Sequence, residues 1–172
     1  MATPLHHVVL SVSDLERSLS FYTQVLGYRK TLESPVEGER YERYLKLTRG
    51  STGRMAMLQA DERTLGMIEL VQFDPAWPAT HPKRFGDPGA TMIAIELENE
   101  TVEDVLARLA EMGTQPWSDV TQIDLEGYPP FRCAIIEDPD GFLIELVQLP
   151  SPEEVKAFRA RYKARQPESA EG

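Results

Sequence analysis

The chain is poor in cysteine, in basic residues and in long apolar runs, and each shortage excludes a class of protein. Cys133 is the one cysteine among 172 residues, so no intramolecular disulfide can form, which fits a reducing cytoplasm. The 18 Lys and Arg residues against 28 Asp and Glu give a net charge of −10, which repels nucleic acid and anionic membrane surfaces. No apolar run approaches the ~20 residues of a membrane span, and the first residues, MATPLHHV, have neither the basic nor the apolar region typical of a signal peptide. We expect a soluble cytoplasmic protein that binds neither nucleic acid nor membranes.

Residues 5–27 predict a buried strand, a capped helix and a helix stop. Asp14 stands at the N-cap position, where its carboxylate can accept from unpaired backbone N–H groups of the first turn. Gly27 stands at the C′ position, which favours a residue in the left-handed conformation. The apolar residues between them recur at helical spacing: Leu15, Leu19, Tyr22 and Leu26.

The same pattern returns once, further along the chain. Residues 92–99 match residues 7–14 with an offset of 85, and Gly113 follows Gly27 with an offset of 86. We therefore expect two tandem β-α-β-β-β modules. The further strands are predicted at 29–32, 55–59 and 66–73 in the first module, and at 115–121, 131–137 and 142–149 in the second.

The predicted organisation is one structural domain with a long connector. The first module covers 1–73, a proline-rich connector covers 74–89, and the second module covers 90–150. Residues 151–172 form a C-terminal helix, ending near residue 165, and a tail. A short helix at 41–47 lies in a charged segment, which is either a solvated loop or a flap whose Arg40 or Arg43 meets an anionic substrate.

Four motifs in this order resemble the vicinal oxygen chelate superfamily, which includes glyoxalase I, extradiol dioxygenases and the bleomycin resistance proteins. They are His7 before an apolar strand, the helix segment that begins at Asp14 and runs to Val25-Leu-Gly27, Met67-Ile-Glu-Leu70, and Asp138-Pro-Asp-Gly-Phe-Leu-Ile-Glu-Leu146. The resemblance spans about residues 5–148. It implies an α+β fold in which the two modules form a curved mixed sheet around a cleft.

The resemblance also implies four metal-ligand positions, one on the first and one on the last strand of each module. They fall on His7, Glu69, Met92 and Glu145. Glu69 and Glu145 each interrupt an apolar strand, where an ionised carboxylate needs water, a counter-charge or a metal. Strand alternation alone also allows both glutamates to face solvent.

Met92 departs from the family pattern, in which histidine is common at this position. A thioether is a soft, weak ligand. His7, Glu69 and Glu145 can still hold Zn, Ni, Mn, Co or Fe with open positions, or the site has lost its metal, as in resistance proteins that bind a drug in the cleft. The set lacks the two-histidine, one-carboxylate triad of a ring-cleaving dioxygenase.

The function implied is that of a glyoxalase I type lyase or isomerase, which acts on a small carbonyl or thioester compound by metal-assisted proton transfer. Glu69 or Glu145 would move the proton. The alternative is a metal-free binding or resistance protein of the same fold. The superfamily pairs modules within or between chains, so a homodimer is expected. Candidate substrate contacts are Met92, Arg40, Arg43, Arg54, Arg132, Tyr128 and Trp117, although Tyr128 also suits a hairpin turn and Trp117 core packing.

Overall fold

The computed structural model describes residues 5–61, 65–74 and 91–165, which form two four-stranded mixed sheets with helices. The chain divides into two compact units: Met1–Ala90 with Asp138–Phe142, and Thr91–Glu137 with Leu143–Gly172. The predicted α+β class with two β-α-β-β-β modules is confirmed. Within the described residues, no helix has the length and apolarity that a membrane crossing requires.

The first unit holds six elements and one sheet. They are β1 (His7–Ser11), α1 (Leu15–Gln24), β2 (Arg29–Glu37), α2 (Glu39–Leu45), β3 (Thr52–Gln59) and β4 (Met67–Asp74). The strand order is β1-β4-β3-β2, with β1 parallel to β4 and the other pairs antiparallel.

The second unit repeats this sheet. Its elements are β5 (Met92–Glu96), α3 (Val102–Glu111), β6 (Thr121–Ile123), β7 (Phe131–Glu137), β8 (Leu143–Gln148) and α4 (Pro152–Arg165). The order is β5-β8-β7-β6, again with the outer pair β5 and β8 parallel. The C-terminal helix is present as expected.

The repeat extends to the way each main helix begins. Asp14 caps α1 by accepting from Arg17 N at 3.0 Å. The amide oxygen of Gln72, on β4, accepts from the first residue of α1, Leu15, at 2.8 Å. In α3, Thr101 and Asp104 form a capping box.

Gln148 takes the role of Gln72 in the second unit, where its amide oxygen accepts from Val102 N at 3.2 Å. The glutamine of each IELVQ strand therefore satisfies a backbone donor that a helix start leaves unpaired.

One face of each sheet packs against its helix and forms the core. Residues paired across strands point to the same face, and the face toward α1 carries Leu10, Ala56, Leu58, Ile68 and Leu70, all buried. The equivalent face of the second sheet carries Ala134, Ile136, Ile144 and Leu146, also buried. The opposite face of each sheet is the one on which chemistry can take place.

The turn before β8 belongs to the first unit and is held there by two aspartates. The hydroxyl of Tyr22, on α1, donates to Asp138 Oδ2 at 3.1 Å, while Asp140 N and Phe142 N donate to Asp138 Oδ1. Asp140 accepts from Arg17 at 3.0 Å. Burial raises the pKa of the Asp138 carboxyl, although its hydrogen bonds oppose the shift.

Several predicted boundaries differ from the structure. The strand predicted at 115–121 is wrong over 115–120, because Trp117 N and Ser118 N both bond to Ile135 O and no regular ladder forms there. The short helix begins at Glu39 and not at residue 41. Of the connector predicted at 74–89, Asp74 is the last residue of β4, and 75–89 lie outside the described residues.

Candidate functional site

The open face of the first sheet is mainly apolar and contains one polar pair. The register places His7 and Val9 of β1 on the same face as Glu69 of β4 and Met57 of β3. Val9 is 54% exposed, and Leu32 of β2, which pairs with Met57, is 53% exposed. Two groups capable of chemistry therefore stand on a surface that is otherwise suited to apolar ligands.

The polar pair consists of an imidazole and a carboxylate in contact. His7 Nε2 lies 3.3 Å from Glu69 Oε2, and both side chains are half-buried, at 31% and 19% exposure. His7 pairs with Met67, two residues before Glu69, so the two side chains are diagonal neighbours across parallel strands. The structure thus brings together two of the three predicted metal ligands.

His6 fixes the other side of the His7 ring. The Nδ1 atoms of the two rings are 2.7 Å apart, so one of them donates and the other accepts. When His7 donates, its Nε2 carries a lone pair that faces the Glu69 carboxylate, and a cation or a proton must lie between them. When His6 donates, His7 Nε2–H donates to Glu69 directly.

The donor set and its spacing fit a divalent cation. Two ligands on one ion with ~2.1 Å bonds lie roughly 3.0 to 3.4 Å apart at octahedral or tetrahedral angles, and the His7 and Glu69 atoms are 3.3 Å apart. A neutral imidazole and a carboxylate together suit borderline ions such as Zn²⁺. Within the described part of the chain, no three His, Cys, Asp or Glu side chains are grouped as one metal site. That His7 and Glu69 bind an ion stays a prediction.

The second sheet places Met92 and Glu145 in the same relation as His7 and Glu69. Met92 pairs with Leu143, two residues before Glu145 on the neighbouring parallel strand, as His7 pairs with Met67, two residues before Glu69. Met92 and Glu145 thus share the face opposite α3. The prediction that Glu145 joins His7 and Glu69 on one ion rests on the resemblance and stays a prediction.

Cys133 is a neighbour of Glu145 that the sequence reasoning did not single out. It lies on β7, on the same face as Glu145, and is 6% exposed. Burial raises the pKa of its thiol, and the Glu145 carboxylate raises it further. Strand alternation along 131–137 is the signal that assigns Cys133 to the face of Glu145.

The predicted arginine contacts are distributed over several places. Arg43 lines a surface cavity of about 650 Å³ with Glu39, Glu42, Leu47 and Arg49. Arg40 lies over the Tyr41 ring, 5.7 Å from its centroid.

Two further arginines are paired with acids on the helix side of their sheets. Arg54 binds Glu16 at 2.7 Å and also Glu33, whose pKa falls to about 2 because Lys30 and Arg54 donate hydrogen bonds to it. Arg132 binds Glu103 on α3 and alternates with Cys133 along β7, so it does not share the face of Glu145. The structure therefore does not favour a contact between Arg132 and a substrate on the face of Glu145.

The two predicted aromatic contacts also occupy separate places. Tyr128 is 42% exposed and packs edge-on against Phe131, with ring centroids 6.1 Å apart. Phe131 lies on the face of Cys133 and Glu145, so Tyr128 stands at the margin of that face. Trp117 is 53% exposed, which overturns the expectation that it packs in the core.

Comparison with known proteins gives one family throughout. The family model described as Glyoxalase/Bleomycin resistance protein/Dioxygenase superfamily matches residues 4–146. A lactoylglutathione lyase from Pseudomonas aeruginosa is 29% identical over 150 residues, which cover 83% of this chain and 81% of that protein. A 2-epi-5-epi-valiolone epimerase from Actinomyces sp is 27% identical over 152 residues, 87% of this chain and 81% of that protein.

A solved structure supports the fold. A glyoxalase family protein from Bacillus cereus matches with a TM-score of 0.74 over 86% of this chain and 95% of its own, at 23% identity.

Proposed function

The chain belongs to the glyoxalase/bleomycin resistance protein/dioxygenase superfamily, and on that basis we propose that it is a metal-dependent enzyme that transfers a proton at a carbon next to a carbonyl group. Its two curated relatives are named as a lyase and an epimerase, and proton transfer beside a carbonyl is a step that both reaction classes can share. The observation that carries the proposal is the contact of His7 Nε2 with Glu69 Oε2 at 3.3 Å on an open, mainly apolar sheet face.

His7 and Glu69 are the residues that would hold the cation, and the resemblance adds Glu145. A divalent cation bound there supplies a Lewis acid that stabilises negative charge on a carbonyl oxygen. His6 orients the His7 ring through the 2.7 Å contact between their Nδ1 atoms.

The proton itself is moved by a glutamate carboxylate, Glu69 or Glu145, the two acids that the resemblance assigns to the site. A carboxylate at hydrogen-bond distance from the acidic carbon takes the proton and returns it to the neighbouring carbon, or to the other face of the same carbon. The first outcome is an isomerisation and the second an epimerisation. The exposed Val9 and Leu32 favour a small carbonyl or thioester compound with an apolar portion.

A second candidate rests on Met92. A thioether stands where the first unit has His7, and thioethers are weak ligands for the ions that carboxylates prefer. A metal-free protein that binds a small apolar ligand against the sheet faces is therefore the competing function. In that protein His7 and Glu69 form an ordinary hydrogen-bonded pair.

Exchange of substrate hydrogen with solvent tests the proposed function directly. The purified protein, loaded with Zn²⁺, Ni²⁺ or Mn²⁺, is incubated in D₂O with 2-oxoaldehyde–thiol adducts and 2-hydroxyketones, and deuterium next to the carbonyl is followed by NMR. We expect exchange that a chelator abolishes and that Glu69→Gln or Glu145→Gln lowers by about 100-fold or more, since each variant removes a base.

Glu111→Gln is the matched control, because Glu111 is exposed at the end of α3. It should leave the exchange rate unchanged. Undiminished exchange in both Glu69→Gln and Glu145→Gln would reject the proton-transfer role, and unchanged turnover in Glu145→Gln alone would remove Glu145 from the mechanism.

A further inference from the structure

A cavity in the second unit lies between α4 and the strands β6, β7 and β8. Its volume is about 280 Å³, and it is bounded by the end of the loop that joins β6 to β7 and by the segment between β8 and α4. About half of its wall is apolar, contributed by Pro129, Pro130, Phe131, Leu149, Pro150 and Phe158.

Aromatic contacts join α4 to this part of the unit. Phe158 stacks on Tyr162, with centroids 5.7 Å apart and an interplanar angle of 17°. A Cβ added at Gly127 would lie 3.5 Å from the Tyr162 hydroxyl, so α4 approaches the β6–β7 loop closely. Phe158, a residue of the cavity wall, is therefore held in place by packing within α4 and by the contact of α4 with the β6–β7 loop.

The charged side chains in the wall, apart from one, are already paired within the protein. Arg132 binds Glu103 through two nitrogens. Glu154 accepts from the backbone and hydroxyl of Ser151 at 2.8 Å and so caps α4. Neither group needs a ligand.

The two amides in the wall are also engaged. Gln148 accepts from Val102 N, and the amide nitrogen of Gln122 lies 3.1 Å from Asp124 Oδ1. Arg132 and Gln148 pair with each other on the helix side of the sheet, opposite the face of Met92 and Glu145. Arg132 and Gln148 therefore lie on the other side of the sheet from Glu145, whereas Phe131, the first residue of β7, alternates to the face of Glu145.

Arg161 is the exception. Its Nε donates to Ala157 O at 3.3 Å, and its guanidinium makes no ion pair with any residue of the described ranges. Residues 155–165 contain five Lys or Arg and no acid, in a chain of net charge −10. A local excess of positive charge beside an apolar cavity is complementary to an anion with an apolar body.

We propose that this cavity binds a small aromatic monocarboxylate, whose ring packs against Phe158 and the prolines of the wall and whose carboxylate meets the Arg161 guanidinium. A planar guanidinium matches a carboxylate with two parallel hydrogen bonds. Aromatic rings add offset or edge-on contacts beyond simple burial. The volume equals that of roughly nine waters in the liquid, at ~30 Å³ each, which suits a single ring with one carboxyl group.

Benzoate and its neutral analogue benzamide are the probes. Each is titrated into the ¹⁵N-labelled full-length protein, and amide shifts are mapped by NMR. We expect benzoate to shift amides around 129–131, 148–150 and 154–161, and to bind more tightly than benzamide. Arg161→Gln should weaken benzoate about threefold to fivefold, the range of a solvent-exposed ion pair, and leave benzamide unchanged.

Arg159→Gln is the matched control, since Arg159 is an exposed arginine of the same helix outside the cavity wall. It should change neither affinity by more than about twofold. Phe158→Ala, with α4 verified by its amide spectrum, should weaken both probes. The proposal is overturned by the absence of shifts in these segments, by equal binding of the two probes, or by equal effects of the two arginine variants.

Discussion

Asp138 shows how a single carboxylate fixes a turn at the cost of burying a charge. It is 5% exposed, and it accepts hydrogen bonds from Tyr22 and from two backbone N–H groups of its own turn. Three hydrogen bonds stabilise the ionised form, yet burial has the larger effect and raises the pKa. The turn leads into β8, the strand of Glu145.

The raised pKa of Asp138 sets the direction in which the stability of the protein depends on pH. Because the folded protein holds the Asp138 proton more tightly than the unfolded chain, whose value is ~3.9, the contribution of Asp138 to stability rises as pH falls through the folded pKa and levels off below ~3.9. We expect wild type to gain stability relative to Asp138→Asn between pH 7 and pH 4, measured by urea unfolding. Asp119→Asn, at an exposed site, is the control. The prediction is contradicted if the stability of wild type relative to Asp138→Asn stays constant, or falls, on acidification.

Met92 is the residue at which the two sheets differ in chemistry while keeping the same register. If its position is a vacant ligand position, Met92→His should raise the affinity for Zn²⁺ or Ni²⁺, because a second imidazole is a strong borderline ligand. The gain should be larger at pH 8 than at pH 5.5, since free histidine titrates near ~6.5. Calorimetric titration measures both values. Unchanged affinity at pH 8 in the folded variant would favour the metal-free binder.

At the scale of elements, the antiparallel pair β3 and β4 carries Met57 and Glu69 and depends on a glycine. A Cβ added at Gly53 would lie 2.5 Å from the backbone oxygen of Gln72, which cannot move without breaking the ladder. Gln72 in turn binds the first residue of α1. Gly53 is therefore a position at which strand pairing and helix capping are coupled.

Gly53→Ala should lower the free energy of unfolding by about 1 to 3 kcal/mol, as overpacking does elsewhere. Thr52→Ala, an exposed neighbour on the same strand, should cost ~0.5 kcal/mol or less. Urea unfolding measures both variants. Equal stabilities of the two would show that β3 and β4 separate easily at this point.

The elements that the sequence predicted well are those with two independent signals. α1 and α3 have both a cap and an apolar stripe, and the internal repeat placed Glu69 and Glu145 in equivalent strands, as the register confirms. The strand predicted over 115–120 did not form: Pro116 and Asp119 are residue types that strands disfavour, and only isolated hydrogen bonds to Ile135 form.

Contacts between segments distant in the chain could not be predicted from local pattern. The Tyr22–Asp138 hydrogen bond and the pairing of Arg132 with Glu103 depend on packing, so the sequence offered Arg132 for the site without showing that it was engaged. The His7–Glu69 contact was predictable because the resemblance places both residues on adjacent strands.

At the scale of the whole molecule, the resemblance implies that modules pair within or between chains, and the oligomeric state stays a prediction. We expect a homodimer, as the resemblance implies. Sedimentation velocity at micromolar concentration should give a species of twice the 19.4 kDa chain mass. A single 19.4 kDa species at all concentrations would reject the dimer.

The central claim is that His7 and Glu69 hold a catalytic cation, and calorimetric titration of Zn²⁺ into chelator-stripped protein at pH 8 tests it most directly. We expect one ion per wild-type chain, affinity lowered by about tenfold or more in His7→Gln, and wild-type affinity in Glu111→Gln. If wild type binds no Zn²⁺, or if His7→Gln binds it equally well, the proposed metal site is contradicted. Metal-free binding of a small ligand would then be the better account of this protein.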